Sequence, residues 1–301
     1  MSTLAKLRSK KNYKLGFLTQ LKLLVLRSMK QRQGEKLTKV SLLVSTHTTF
    51  FTCIFWFRLP DSTGRIYERS SLLLFIIIAQ SIRIVTEGVS VFQRERFLLS
   101  RERAKKLYTL LPTRSQICPS PFFCLVYTEQ LLWATNLLPT AAVFFTYMLV
   151  LYLTVSTAQS TGLFLSIAIP NLQISLMLAP LVTLVLTILG GFYIPLQNTN
   201  PAIAWASWIS MTRYGYSGFL DNEFKERSIP CSSASTSLSF GDSCPLLGDD
   251  AIAGFVIYGI VANVWVNIGF LSVMQLFLRY VQIEERQYSS KVQIKHNSDK
   301  T

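Results

Sequence analysis

The chain has 301 residues, half of them hydrophobic and only 15% charged, with a formal net charge of +14 and a mean hydropathy of +0.35. Soluble domains carry about 25% charged residues, yet here no Asp, Glu, Lys or Arg occurs between Gln130 and Thr212. That composition excludes a soluble domain and predicts an all-α polytopic membrane protein. The basic residues sit in short segments beside apolar runs, which fits a positive-inside bias better than a nucleic-acid surface, so no nucleic-acid partner is expected. Residues 1–16 are Lys-rich without an apolar core and do not form a cleavable signal peptide. Cys53, Cys118, Cys124, Cys231 and Cys244 make no CxxC or Cys/His cluster, so no metal site is expected.

In chain order, residues 1–39 carry eleven Lys and Arg against the single Glu35. Phe17, Leu21, Leu24, Val25 and Met29 recur at helical spacing, which predicts an amphipathic helix on the cytoplasmic membrane surface. The simpler alternative is a solvated basic tail. Val40 to Phe57 is a first span of 18 uncharged residues, and His47 within it reads as a packing residue. Pro60 to Gly64 is a turn.

The second span is placed at about Ser70 to Phe92. Its Arg83 and Glu87 stand i,i+4 and either face the protein interior as a pair or leave Glu87 at the interface. Residues 93–114 read as a basic cytosolic return of two short helical pieces, ended by Pro112. The third span falls in residues 113–137, where Cys118-Pro119-Ser120-Pro121 and Glu129 interrupt the apolar run. The fourth lies within Pro139 to Ile169 and ends in a cluster of small residues suited to close helix approach. The fifth runs from Leu172 to Tyr193 and the sixth from Ala251 to Leu278. A tail, 281–301, is expected to lack structure after Tyr288.

Six transmembrane helices thus occupy residues 40–280. They put both termini in the cytoplasm and leave a large extracellular loop, 195–250, between spans five and six. That loop holds three basic and six acidic residues, Arg213, Asp221 and Glu223 among them. Trp205, Trp208, Tyr214 and Tyr216 are expected at headgroup depth.

Several separated motifs carry a family resemblance. Gly190-Gly191-Phe192, Trp205, Arg213-Tyr214-Gly215 and Asn222-Glu223-Phe224 follow one another from the glycine-broken end of the fifth span. Phe92-Gln93-Arg94-Glu95-Arg96, Ser100-Arg101-Glu102-Arg103 and Tyr108 follow the second. In this order they resemble the ABC-2 type transmembrane domain of G-subfamily ABC transporters, the White and pleiotropic-drug-resistance kind. The resemblance covers roughly residues 17–112 and 134–282, and residues 113–137 are several residues short of that pattern. It implies a connecting helix at the N-terminus, a dimeric assembly, and ATP and magnesium on a nucleotide-binding domain.

No GxxxxGK[ST] phosphate loop occurs, so this chain is not expected to be an ATPase or to hold a cofactor itself. With two histidines, His47 and His296, and no acidic cluster in the spans, an intramembrane enzyme is disfavoured. The expected function is the permease part of an ATP-driven exporter of lipids, sterols or amphipathic compounds, its ATPase domain supplied elsewhere or missing from this chain. The alternative is a motorless regulatory and dimerisation partner of a complete half-transporter. Partners are membrane lipid, a second half-transporter (the same or different), the nucleotide-binding domain and an apolar or amphipathic substrate. The host is the plasma membrane or an organelle membrane.

Four groups of site residues follow. Gln80 and Arg83 would face Thr183, Leu184 and Thr187 across a substrate path, the last three sharing a face of the fifth span. Phe192 and Tyr193, at the family's valve position, would form a gate or else anchor the span at the interface. Glu95, Arg96 and Glu102 would form the surface coupled to the ATPase domain, or else a solvated return. Cys231 and Cys244, the two cysteines on the oxidising side in this topology, would form a disulfide.

Overall fold

A computed structural model of the chain describes residues 39–57, 59, 65–104, 140–193, 200, 204–225, 228–229, 246–247 and 263–298. The expected N-terminal amphipathic helix, the third span at 113–137, the first residues of the sixth span, and Cys231 with Cys244 lie outside the described residues, as does most of the loop 195–250. Among the described residues six α-helices follow in chain order: α1 Lys39–Phe55, α2 Ile66–Ala104, α3 Ala141–Ala168, α4 Leu172–Ile188, α5 Met211–Phe224 and α6 Val264–Ser298. A 3-10 turn, Trp205–Ile209, precedes α5. The two-residue strands β1 (Ser228–Ile229) and β2 (Leu246–Leu247) pair antiparallel, with Ser228 opposite Leu247 and Ile229 opposite Leu246.

Three of the described helices are long and apolar enough to cross a membrane, over Ile66–Ser90, Ala141–Ala168 and Val264–Gln282. α1 and α4 are apolar helices of 17 residues each. Several boundaries differ from the sequence reading. The second span starts at Ile66, and its helix runs unbroken to Ala104 instead of dividing into two pieces after Phe92. The reason is local. From Gln93 to Ala104 the chain offers strong helix formers, with no Gly or Pro to stop it. The same cause carries α6 to Ser298, past Tyr288, where structure was expected to end. Conversely, α4 stops at Ile188 rather than at Tyr193. Gly191 there takes φ 92°, the left-handed region that ends helices at glycine.

The core is the packing of α2, α3, α5 and α6, with α4 laid on α2. Leu72, Leu73, Ile77, Val150, Leu151, Phe219 and Leu220 fill it. α2 and α3 cross in near-backbone contact: a Cβ on Gly162 would stand 2.5 Å from the Val85 carbonyl oxygen. Small residues at the end of the fourth span were expected to permit such an approach; Gly162 makes it, while the equally buried Ser156, Thr157 and Ser160 meet Gln275, Leu271 and Gln282 of α6. α5 is not a span. It has 14 residues and runs antiparallel along the first half of α3. Gly215 packs on Thr154, Gly218 on Val150, and Asn222 reaches Val143.

Candidate functional site

The polar centre of the molecule is the C-terminal end of α5, Asp221-Asn222-Glu223-Phe224. The Glu223 side chain is fully buried, and its carboxylate is shared. Oε1 accepts from Arg69 Nη1 at 2.7 Å and Oε2 from the Tyr147 hydroxyl at 2.8 Å. Arg69, 4% exposed, also donates from Nη2 to the Leu59 carbonyl at 3.1 Å. Asn222 Nδ2 donates to the Val143 carbonyl at 3.0 Å. Asp221 Oδ2 accepts the backbone N–H of Val264 at 2.8 Å, the first residue of α6. Phe224 is buried beside them. Three consecutive residues, Asp221, Asn222 and Glu223, therefore hold the starts of α2, α3 and α6 together at one end of the bundle.

Electrostatics explains why both ions are needed. An unpaired charge in this environment costs several kcal/mol, whereas a paired and hydrogen-bonded one is tolerated. The start of α5 is fixed just as closely. Ser210 caps it by accepting from the Arg213 N–H at 3.3 Å and donates its hydroxyl to the Leu186 carbonyl near the end of α4. Arg213 donates to Ser207 Oγ at 2.8 Å and lies 4.8 Å over the Trp208 ring. Tyr214 stacks on Phe270 of α6 with centroids 4.9 Å apart.

These contacts correct two expectations. Arg213, Asp221 and Glu223 are buried on a helix rather than loop charges, so they say little about which side of a membrane the loop occupies. The aromatic segment also divides: Trp205 and Trp208 are exposed, as at an interface, but Tyr214 and Tyr216 are core residues.

At the opposite end the turn Ile169-Pro170-Asn171 joins α3 to α4. Gln93 Nε2 donates to the carbonyls of Ser166 at 3.0 Å and Ile169 at 2.9 Å. Ser175 Oγ donates to the same Ile169 oxygen at 2.9 Å. Asn171 caps α4 by accepting from the Gln173 N–H.

The residues expected along a substrate path are partly separated. Thr183 and Thr187 are buried, and their hydroxyls donate back to the carbonyls of Ala179 and Thr183. Leu184 is 48% exposed. Successive helix residues stand 100° apart, so Thr183 and Leu184 fall on different faces and the shared face is corrected. Gln80 is buried and accepts from Arg83 Nη2 at 2.8 Å. Thus Arg83 reaches back one turn to a neutral amide. Phe192 stacks on Tyr67 at 6.0 Å and meets Tyr216 edge-on at 5.5 Å, whereas Tyr193 is exposed. Glu95, Arg96 and Glu102 all lie on the C-terminal part of α2, their side chains outside the described residues.

Sequence reasoning missed Arg69, Tyr147 and Gln93 as centres of these networks. A signal for Arg69 existed: a charge one residue before the assumed start of an apolar span needs a partner.

The chain matches the model of the family described as ABC-2 type transporter over residues 19–224, more than half its length. It is 27% identical over 264 residues to ABC transporter G family member 1 of Dictyostelium discoideum, covering 83% of this chain and 33% of that protein. It is 26% identical over 218 residues to ABC transporter G family member 14 of Arabidopsis thaliana, covering 69% of this chain and 32% of the relative. To ABC multidrug transporter C of Aspergillus fumigatus it is 25% identical over 248 residues, 79% of this chain and 16% of the relative. The chain thus spans about a third or less of the length of these relatives.

Proposed function

From membership of the ABC-2 type transporter family, to which this multi-pass membrane protein belongs, we propose that it forms the permease part of an ATP-driven exporter. In this reading two such membrane domains, identical or different, enclose a path for lipids, sterols or other amphipathic compounds. The ATPase domain, with its ATP and magnesium, is joined to or recruited by the assembly. Both termini face the cytoplasm.

The observation that carries the dimer is the outer face of α4. Ile174, Met177, Leu181, Leu184 and Ile188 are all exposed. Their spacings alternate between three and four, the narrow seam that one helix offers another. A two-fold mate across this seam would leave Leu181 and Leu184 as path-lining residues, with Thr183 and Thr187 turned away into the protomer. Arg83, half-buried and held by the buried Gln80, then supplies a polar handle from α2. Tyr193 is the gate ring available to its symmetry mate, and Phe192, 5.2 Å away edge-on, supports it. Glu95, Arg96 and Glu102, beyond the apolar part of α2, form the docking surface for the ATPase domain. A Cys231–Cys244 disulfide in the loop that leads from β1 to β2 belongs to the same reading.

The test is purification of the tagged chain from cells in native nanodiscs, followed by mass spectrometry of the assembly and assays of magnesium-dependent ATP hydrolysis. Inside-out vesicles then report uptake of a fluorescent phospholipid. Two membrane domains with an ATPase domain, and ATP-dependent uptake that stops in Tyr193→Ala, are expected. If a complete half-transporter co-purifies and exports equally well without this chain, the motorless regulatory partner is the correct reading. A lone monomer without ATPase would overturn both.

A further inference from the structure

The last turn of a helix leaves carbonyls without intrahelical donors, and they must find partners elsewhere. In α3 two such oxygens, Ser166 O and the adjoining Ile169 O, are served by one side chain from another helix. Gln93 is buried, and its Nε2 reaches both, at 3.0 and 2.9 Å. Because both acceptors are carbonyls, the side chain's NH2 end must be the one that points at them. Ile169 O also takes the Ser175 hydroxyl from α4. Three helices therefore converge on one pair of oxygens.

Two further features make this junction stiff. Five residues before Gln93, Gly88 lies against α3, with its Cβ position 3.4 Å from the Gln159 carbonyl oxygen and 3.6 Å from the Gly162 Cα. Directly after Gln93, α2 continues without a break through Arg94 to Ala104. At 1.5 Å per residue these eleven residues project about 16 Å beyond the junction. They carry Arg94, Glu95, Arg96, Arg101, Glu102 and Arg103.

We infer that Gln93 is a positioning residue that locks this charged extension of α2 to the α3–α4 turn, so that displacement of residues 94–104 is delivered to the start of α4. The inference rests on the exporter reading, in which the extension meets the ATPase domain and α4 lines the path. A neutral amide suits the role. It satisfies two carbonyls without burying a charge, and it leaves no acceptor facing them.

The experiment is hydrogen exchange by mass spectrometry on the full chain in nanodiscs. Gln93→Met keeps the volume and removes both donors; Gln93→His keeps a ring N–H donor of similar reach. Amides of residues 169–175 should exchange at least tenfold faster in the Met variant and return toward the wild-type rate in the His variant. A role in packing alone would leave Met as good as Gln. Wild-type exchange in Gln93→Met would overturn the lock. In the purified assembly, adding ATP and magnesium should alter exchange at 169–175 in wild type. It should fail to do so in Gln93→Met while ATP turnover stays within twofold. Persistence of that nucleotide response in the Met variant would overturn the transmission. A wild-type assembly that hydrolyses no ATP would instead count against the exporter reading, and the exchange comparison on the chain alone would still decide the lock.

Discussion

The two ends of the helical bundle are held by opposite chemistries. At the α5 end, a buried ion pair and two further acidic or amide side chains gather the starts of α2, α3 and α6. At the α3–α4 turn, neutral donors from Gln93 and Ser175 share two backbone oxygens. The ionic end carries a large penalty for losing any one partner, because what remains is an unpaired buried charge. The neutral end loses only hydrogen bonds, each worth about 0.5–1.5 kcal/mol net. The first therefore behaves as a fixed clasp. The second strands no charge when a donor is lost, so each of its bonds is cheaper to remove.

That contrast is broken most severely at Glu223. Glu223→Ala leaves the Arg69 guanidinium and the Tyr147 hydroxyl buried without their carboxylate. A loss of about 3–5 kcal/mol is expected, read as a lower melting temperature of the purified protein and a smaller amount reaching the membrane. Adding Arg69→Met should recover much of the loss, since it removes the stranded charge. A double variant no better than Glu223→Ala would mean that the clasp is not ionic.

Next in size is the loop between β1 and β2. If Cys231 and Cys244 are bonded, reduction should cost about 3 kcal/mol in unfolding measurements, the value for a closed loop near 15 residues. Equal thiol labelling of Cys231 with and without reductant would rule the bond out. Smaller again is the α2–α3 crossing between the two ends. Gly162→Ala drives a Cβ to within 2.5 Å of the Val85 backbone oxygen, and about 1–3 kcal/mol of overpacking is expected. Gly269→Ala is the control. Nothing lies within 4 Å of its Cβ position, and alanine there should be neutral or slightly stabilising in a melting experiment.

The apolar runs made the membrane class and helices α2, α3, α4 and α6 legible in the sequence, because burial in lipid is written in local composition. Periodicity could also have separated Thr183 from Leu184, since adjacent helix positions cannot share a face. The clasp was not legible in the same way. Glu223 stood out within the Asn-Glu-Phe motif, yet its partner Arg69 lies 154 residues earlier, and no local pattern pairs them. Counting Asp221 and Glu223 as loop charges followed from the same gap, whereas the partners of Arg213, Ser207 and Trp208, lie close by in the chain. A charge reads as solvent-exposed until its partner is known. Gln93 was hidden for a different reason. Its partners are backbone oxygens, which every sequence has, so only the path of α3 into α4 identifies them.

The smallest expected effect isolates what charge adds at the clasp. α6 begins with two of its orphan N–H groups satisfied by different means. Val264 donates to Asp221 of α5 at 2.8 Å, and Trp265 donates to Asn263, the helix's own cap, at 3.0 Å. Asp221→Asn keeps an acceptor of the same shape and removes a negative charge from the positive end of a helix dipole. Such a charge is worth about 0.3–1 kcal/mol at an exposed site and up to about 2 kcal/mol where it is partly buried. The Asp221 side chain is buried, so a loss of about 1 kcal/mol in the melting measurement is expected. Asn263 is exposed, and Asn263→Ala removes a local cap at a similar cost of about 1 kcal/mol. The two should differ in their dependence on salt. Burial shields Asp221 from counter-ions, so the loss in Asp221→Asn should stay constant between low and high ionic strength. If it faded with added salt, the carboxylate would be reached by solvent, and the clasp would be looser than its geometry implies.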